Sequence, residues 1–130
     1  MVVVSGGAPA SQEPPPWVDT ITKVRTRYLG AARRAGSGIY THPDEDHADV
    51  LRRSAFSQVE TREWDWTLDR DLDSLVGLQF SYSFSAPAQF QDERQRADFE
   101  RDLRVALAEQ VPSGVFREQI RTQAFIATRP

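Results

Sequence analysis

Cysteine is absent from this chain of 130 residues, which excludes a disulfide framework, a thiolate metal site and cysteine redox chemistry. Long apolar runs are absent too. The opening Met1–Val4 falls far short of the ~20 residues that cross a bilayer, and it lacks the basic lead-in and extended apolar stretch of a secretory signal. No membrane partner is expected, and the cytoplasm is the expected location. Lys23 is the sole lysine among 16 basic side chains, an arginine skew attributed to G+C-rich coding and given no functional weight. With 19 acidic side chains the net charge is -3, so the chain offers no attractive field to a phosphate backbone and nucleic acid is not an expected partner.

Complete catalytic signatures are missing as well. Ser5-Gly6-Gly7 and Gly36-Ser37-Gly38 are the only glycine clusters, and neither has the G-x-G-x-x-G spacing that lets a backbone approach a dinucleotide pyrophosphate. Ser5 lacks the G-x-S-x-G surround of a hydrolase nucleophile.

What is present is 39% hydrophobic and 27% charged, a globular balance with enough length for one modest core. Met1–Val4 reads as a buried strand ending at Ser5-Gly6-Gly7, and Ala8–Pro16 holds four prolines and reads as a linker. Residues 1–16 are thus set apart from a single α/β domain over 17–130. Val18, Ile21, Val24 and Tyr28 fall at helical spacing between Pro16 and Gly30. Ala35–Pro43 reads as a loop carrying Tyr40 and His42. A helix led in by Asp44–Asp46 follows, with Val50, Leu51 and Ala55 inward, and it ends near Ala55.

Val59–Thr67 reads as a strand with Trp64 and Trp66 on one face. Asp69, Asp71 and Asp73 precede a short helix with Leu72, Leu75, Val76 and Gln79 on one side, capped by Asp69 or Asp71. Asp92–Gln110 is the longest helical pattern, with Phe99, Leu103, Ala106 and Leu107 on its stripe. After a turn at Val111–Gly114, a last strand runs from Phe116 to Ile126. The order is α/β, with few strands.

His42 and His47 bracket Asp44, Glu45 and Asp46, but acids gather at helix starts for dipole reasons and no metal is expected there. Asp69, Asp71 and Asp73 have calcium-loop spacing, yet Ser74 and Phe80 stand where such a loop needs glycine and glutamate. The remaining candidates are aromatic and hydroxyl groups able to line a substrate pocket: Trp17, Tyr28, Tyr40, His42, Phe80, Ser81, Tyr82, Ser83 and Phe84. Tyr82 and His42 are preferred, with Tyr40, Trp17 and Ser81 beside them.

Three stretches carry a family resemblance. His47-Ala-Asp-Val-Leu-Arg-Arg-Ser-Ala-Phe-Ser-Gln-Val-Glu60 resembles the passage from helix to sixth strand in class I S-adenosylmethionine-dependent methyltransferases. Leu72-Asp-Ser-Leu-Val-Gly-Leu-Gln-Phe-Ser-Tyr-Ser83 and Arg121-Thr-Gln-Ala-Phe-Ile-Ala-Thr-Arg-Pro130 look like the insertion and seventh strand of that family. Met1–Val4 then matches the tail of the fifth strand and Pro16–Leu29 the helix after it. Ala55 departs from the glycine usual before the phenylalanine.

The resemblance implies the C-terminal part of a Rossmann-like methyltransferase sheet, with the last strand antiparallel and its edges covered by a homodimer or a partner chain. It implies methyl transfer to a small-molecule acceptor, with Tyr82 or His42 orienting that acceptor or taking its proton. S-adenosylmethionine is the implied cofactor, but the glycine-rich turn and acidic residue that hold it match nothing here, so the chain alone is expected to bind it weakly or not at all. The alternative is a binding or assembly module derived from the same fold without catalysis.

Overall fold

Proline at a first helical turn, apolar residues at helical intervals and a glycine beyond the last turn give helix α1, Pro16–Leu29. Gly30, at φ 78°, takes the chain off the helix, and its N–H donates to the Thr26 carbonyl. The computed structural model describes residues 1–130, in which mixed α and β elements form four α-helices and a mainly antiparallel sheet. The chain divides into two compact units, one of residues 1–13, 42–68 and 118–130 and the other of residues 14–41 and 69–117.

The first unit is built on strands β1 (Val2–Gly7), β4 (Gln58–Arg70) and β5 (Phe116–Thr128), in the order β1-β5-β4. β2 (Arg34–Ala35) and β3 (Gly38–Ile39) belong to the other unit. β1 pairs antiparallel with β5, Val2 opposite Ile126 and Val4 opposite Ala124. Side chains matched across β4 and β5 step in opposite senses, Asp65 with Arg121 and Asp69 with Arg117, so β5 runs against this neighbour too. Helix α2, His47–Arg52, is capped by Asp46, whose carboxylate accepts from the Asp49 N–H. Ala48 and Leu51 pack with Phe125 and Ala127, flanked by Val3, Phe56 and Val59.

Two expectations change here. The opening strand runs on through Gly7, and Val2 and Val4 are exposed because only the face carrying Val3 and Phe125 meets this small cluster. The helix stops at Arg52, and Val50 points outward. Ala55 escapes a left-handed conformation because Ser54 makes the turn: its hydroxyl donates to the Leu51 carbonyl and accepts from the Phe56 N–H.

The second unit holds α1, the hairpin β2 (Arg34–Ala35) and β3 (Gly38–Ile39), helix α3 (Leu72–Ser81), a short 3-10 helix (Pro87–Gln89) and helix α4 (Glu93–Gln110). The hairpin occupies part of the stretch read as loop. Gly36, at φ 60°, sits first in its two-residue turn, where a positive φ matches the twist of the strands. Asp71 and Asp92 cap α3 and α4 by accepting from the Ser74 and Gln95 N–H groups.

Trp17, Ile21 and Val24 of α1, Leu75 and Val76 of α3, and Phe99, Leu103 and Leu107 of α4 close one core with Phe90 and Phe116. Phe99 is its centre, in contact with the rings of Tyr28, Phe80 and Phe90.

Candidate functional site

The second unit contains a cleft of about 350 Å³. Tyr28, Leu29, Ala32 and Arg34 form one side, and Phe84, Ala88, Gln89, Gln91 and Gln95 the other. The volume suits a small organic molecule.

Local hydrogen bonds hold the wall around Phe84. At the end of α3 the Tyr82 N–H donates to the Gln79 carbonyl, and the buried Ser85 hydroxyl donates to the same carbonyl at 2.5 Å. Gln79, also buried, donates its side-chain amide to the Leu75 carbonyl. This folds residues 82–85 into a tight corner from which Tyr82 and Phe84 stack, centroids 5.1 Å apart and planes 12° from parallel. Gln89 donates to the Gly36 carbonyl at 3.2 Å, tying the 3-10 helix to the hairpin.

The opposite wall comes from α1 and the turn after it. The Tyr28 hydroxyl donates to Asp102 at 2.5 Å. That bond raises the phenol's pKa and keeps the Asp102 carboxyl below the usual carboxylate range, so Tyr28 enters the cleft as a neutral hydroxyl. Behind this wall, one turn earlier and outside the lining itself, Arg25 is 8% exposed as a whole residue. Its guanidinium carbon lies 5.0 Å from the Phe84 ring centroid, as does that of Arg33. Burial first, and then the charge of Arg33, push the Arg25 pKa down.

The five residues read from sequence as substrate contacts are dispersed. Tyr82 is 39% exposed and stands beside the cleft through its stack on Phe84. Ser81 is exposed, and its hydroxyl is spent on the Leu78 carbonyl at 2.6 Å. Tyr40 is exposed just beyond the hairpin, where its N–H donates to the Arg33 carbonyl. Trp17 lies in the core, edge-on to Phe116 at 5.9 Å. His42 is an exposed residue of the first unit.

Arg25 and Arg33 were not among the sequence candidates. The legible signal for Arg25 is its place on the stripe Trp17-Ile21-Arg25, where a cation at four-residue spacing interrupts an otherwise apolar face. For Arg33 no comparable signal exists.

The acidic clusters are engaged locally. Glu45 is held by both terminal nitrogens of Arg53, Asp69 pairs with Arg117 at 2.7 Å, and Asp73 pairs with Arg104 at 2.5 Å. No group of three or more His, Cys, Asp or Glu side chains converges as a metal site would require.

The glycines that end β1 do not mark a cofactor-binding turn. Gly6 and Gly7 lie opposite Thr122 and Arg121 in the ladder, and a Cβ at Gly7 would meet nothing within 4 Å, so neither is a glycine required by close approach. No protein-family model matches the chain, and no curated protein matches it significantly.

Proposed function

We propose that this chain is the acceptor-side portion of a class I S-adenosylmethionine-dependent methyltransferase acting on a small molecule, with the cofactor gripped by other polypeptide. The observation that carries the reading is the course of β5, which runs antiparallel to β1 on one side and to β4 on the other. A last strand reversed against its neighbours is what the resemblance of Arg121–Pro130 to the family's final strand implies. A cleft with an aromatic wall and three glutamine amides agrees with a surface that binds and orients an acceptor.

A second reading, a binding module without catalysis, draws on Asp102. This carboxylate stands closest to the cleft's hydroxyl, but its proton-accepting oxygen is held by Tyr28 and its lowered pKa makes it a weak base.

A labelled-methyl assay decides between them, run on the purified chain and on the chain recovered from its native host with whatever polypeptide accompanies it. Transfer from S-adenosylmethionine to a small acceptor is expected in the second preparation and weak or no cofactor binding in the first. If neither preparation binds S-adenosylmethionine or transfers its methyl group, the methyltransferase reading fails and the binding module stands.

A further inference from the structure

Several arginines of the second unit have an acidic partner. Arg96 pairs with Glu93, Arg101 with Asp98, Arg104 with Asp73 and Glu100, and Arg117 with Asp69. Arg25 and Arg33 do not, since none of the unit's ion pairs includes either one. Arg25 is 8% exposed as a whole residue, its guanidinium nitrogens are not sealed from solvent, and Arg33 sets a like charge beside it. Two cations held over one aromatic ring with no acidic partner form an arrangement that an anion relieves.

We propose that Arg25 and Arg33, braced on Phe84, form the receptor for the carboxylate of a small organic acid whose body occupies the cleft between Tyr28 and Gln95. The planar fork of a guanidinium matches a carboxylate through two parallel N–H donors, and contact with the Phe84 ring holds both heads near one place in advance. Arg34, on the cleft wall, adds a third positive charge to the same region. The N-terminus of α4 is a poorer place for the anion, because the carboxylates of Asp92, which accepts from the Gln95 N–H, and of Glu93 already stand there. A phosphate ester, with more oxygens to satisfy and no cradle of free backbone N–H groups, is the poorer fit. The glutamine amides of Gln89, Gln91 and Gln95 supply neutral polar contacts, and Leu29, Ala32 and Ala88 supply apolar surface for the body of the acid.

The inference rests on the methyltransferase reading only in calling this acid the methyl acceptor; the receptor itself is a property of the arginines and the cleft. It is tested without cofactor, by titrating sodium benzoate and, separately, inorganic phosphate into the purified chain at constant ionic strength and following amide and guanidinium NMR shifts. Saturable benzoate binding is expected, with phosphate weaker and with shifts confined to residues 25–36 and 82–95. Arg25→Gln is expected to weaken benzoate about tenfold or more, the loss of one charge-assisted bond pair. Arg25→Lys keeps the charge but loses the fork and is expected to weaken binding as well, while Arg62→Gln, an equal change of charge in the other unit, leaves it unaltered.

Unchanged chemical-shift dispersion in the variants certifies folding. Absence of saturable benzoate binding, equal affinity in a folded Arg25→Gln chain, or an equal loss in Arg62→Gln would overturn the proposal. Phosphate binding that exceeds benzoate would overturn the assignment to a carboxylate. Benzoate binding by the purified chain, with no methyl transfer in the preparation recovered from the host, leaves the receptor and removes the methyltransferase, whereas methyl transfer in that preparation with no dependence on Arg25 does the reverse.

Discussion

Arg25, from the middle of α1, and Arg33, from the turn beyond its end, reach the same ring: each guanidinium carbon is 5.0 Å from the centroid of Phe84. The juxtaposition sets like charges close together and covers most of the Arg25 side chain. Attraction to the ring offsets part of that cost, on the order of 0.5–2 kcal/mol for each contact.

It follows that Arg25→Met stabilises the fold. The flexible thioether fills the space of the arginine stem, and removing the repulsion between Arg25 and Arg33 is expected to gain about 0.5–1 kcal/mol. Urea denaturation of both chains measures the change. A loss of stability on this substitution would show that the attraction to Phe84 outweighs the repulsion from Arg33.

Phe99→Ala has the opposite sign. Its ring is fully buried and touches Tyr28, Phe80 and Phe90, so truncation leaves a cavity bounded by three helices. A cost of about 3–5 kcal/mol is expected, enough to unfold a marginal unit. Circular dichroism on heating would reveal it as a much lower midpoint or no transition.

The caps of α3 and α4 provide a graded test. Asp71→Ala and Asp92→Ala each remove a carboxylate that accepts from a first-turn N–H at 2.7 Å, and each is expected to cost about 1 kcal/mol. Asn at either position retains the acceptor and is expected to recover most of the loss. Equilibrium unfolding of the four variants checks both statements.

Acid and alkali act through different side chains. The carboxyls of Asp65 and Asp69 are held low chiefly by hydrogen bonds from Arg121 and Arg117, and that of Asp102 chiefly by the Tyr28 hydroxyl. A folded pKa below the unfolded value stabilises above about pH 4 and ceases to do so as pH falls through the folded value. Tyr28 is raised, chiefly by Asp102, so its contribution is complete below about pH 10 and lost as pH rises through its folded pKa. Urea midpoints across pH are expected to decline at both ends, with the acid decline shallower in high salt. Tyr28→Phe should reduce the alkaline decline and keep the part of the acid decline due to Asp65 and Asp69.

Much of this architecture was legible because local rules and tertiary packing agree. The spacing of Phe99, Leu103 and Leu107, Asp71 and Asp92 at helix starts, and the alternation around Trp64 and Trp66 each declare an element. The hairpin at residues 34–39 escaped because its paired segments have two residues each, too few for a period to register. The burial of Val2 and Val4 was misjudged because a run of valines implies a strand without saying how many of its faces are covered. Tyr28, Tyr82 and Phe84 were visible as candidates by residue type. Arg25 was overlooked because arginine is so common here that one residue on an apolar stripe did not stand out from composition.

The three tryptophans divide between the units: Trp17 is sealed in the helical core, while Trp64 and Trp66 are about half exposed on β4. Their emission colours differ accordingly, blue for the shielded indole and red for the wet pair. A chain in which Trp64 and Trp66 are replaced by Phe is therefore an optical reporter of the helical unit alone, and one lacking Trp17 reports the sheet. Comparing their melting curves reveals whether the two halves come apart together or in succession.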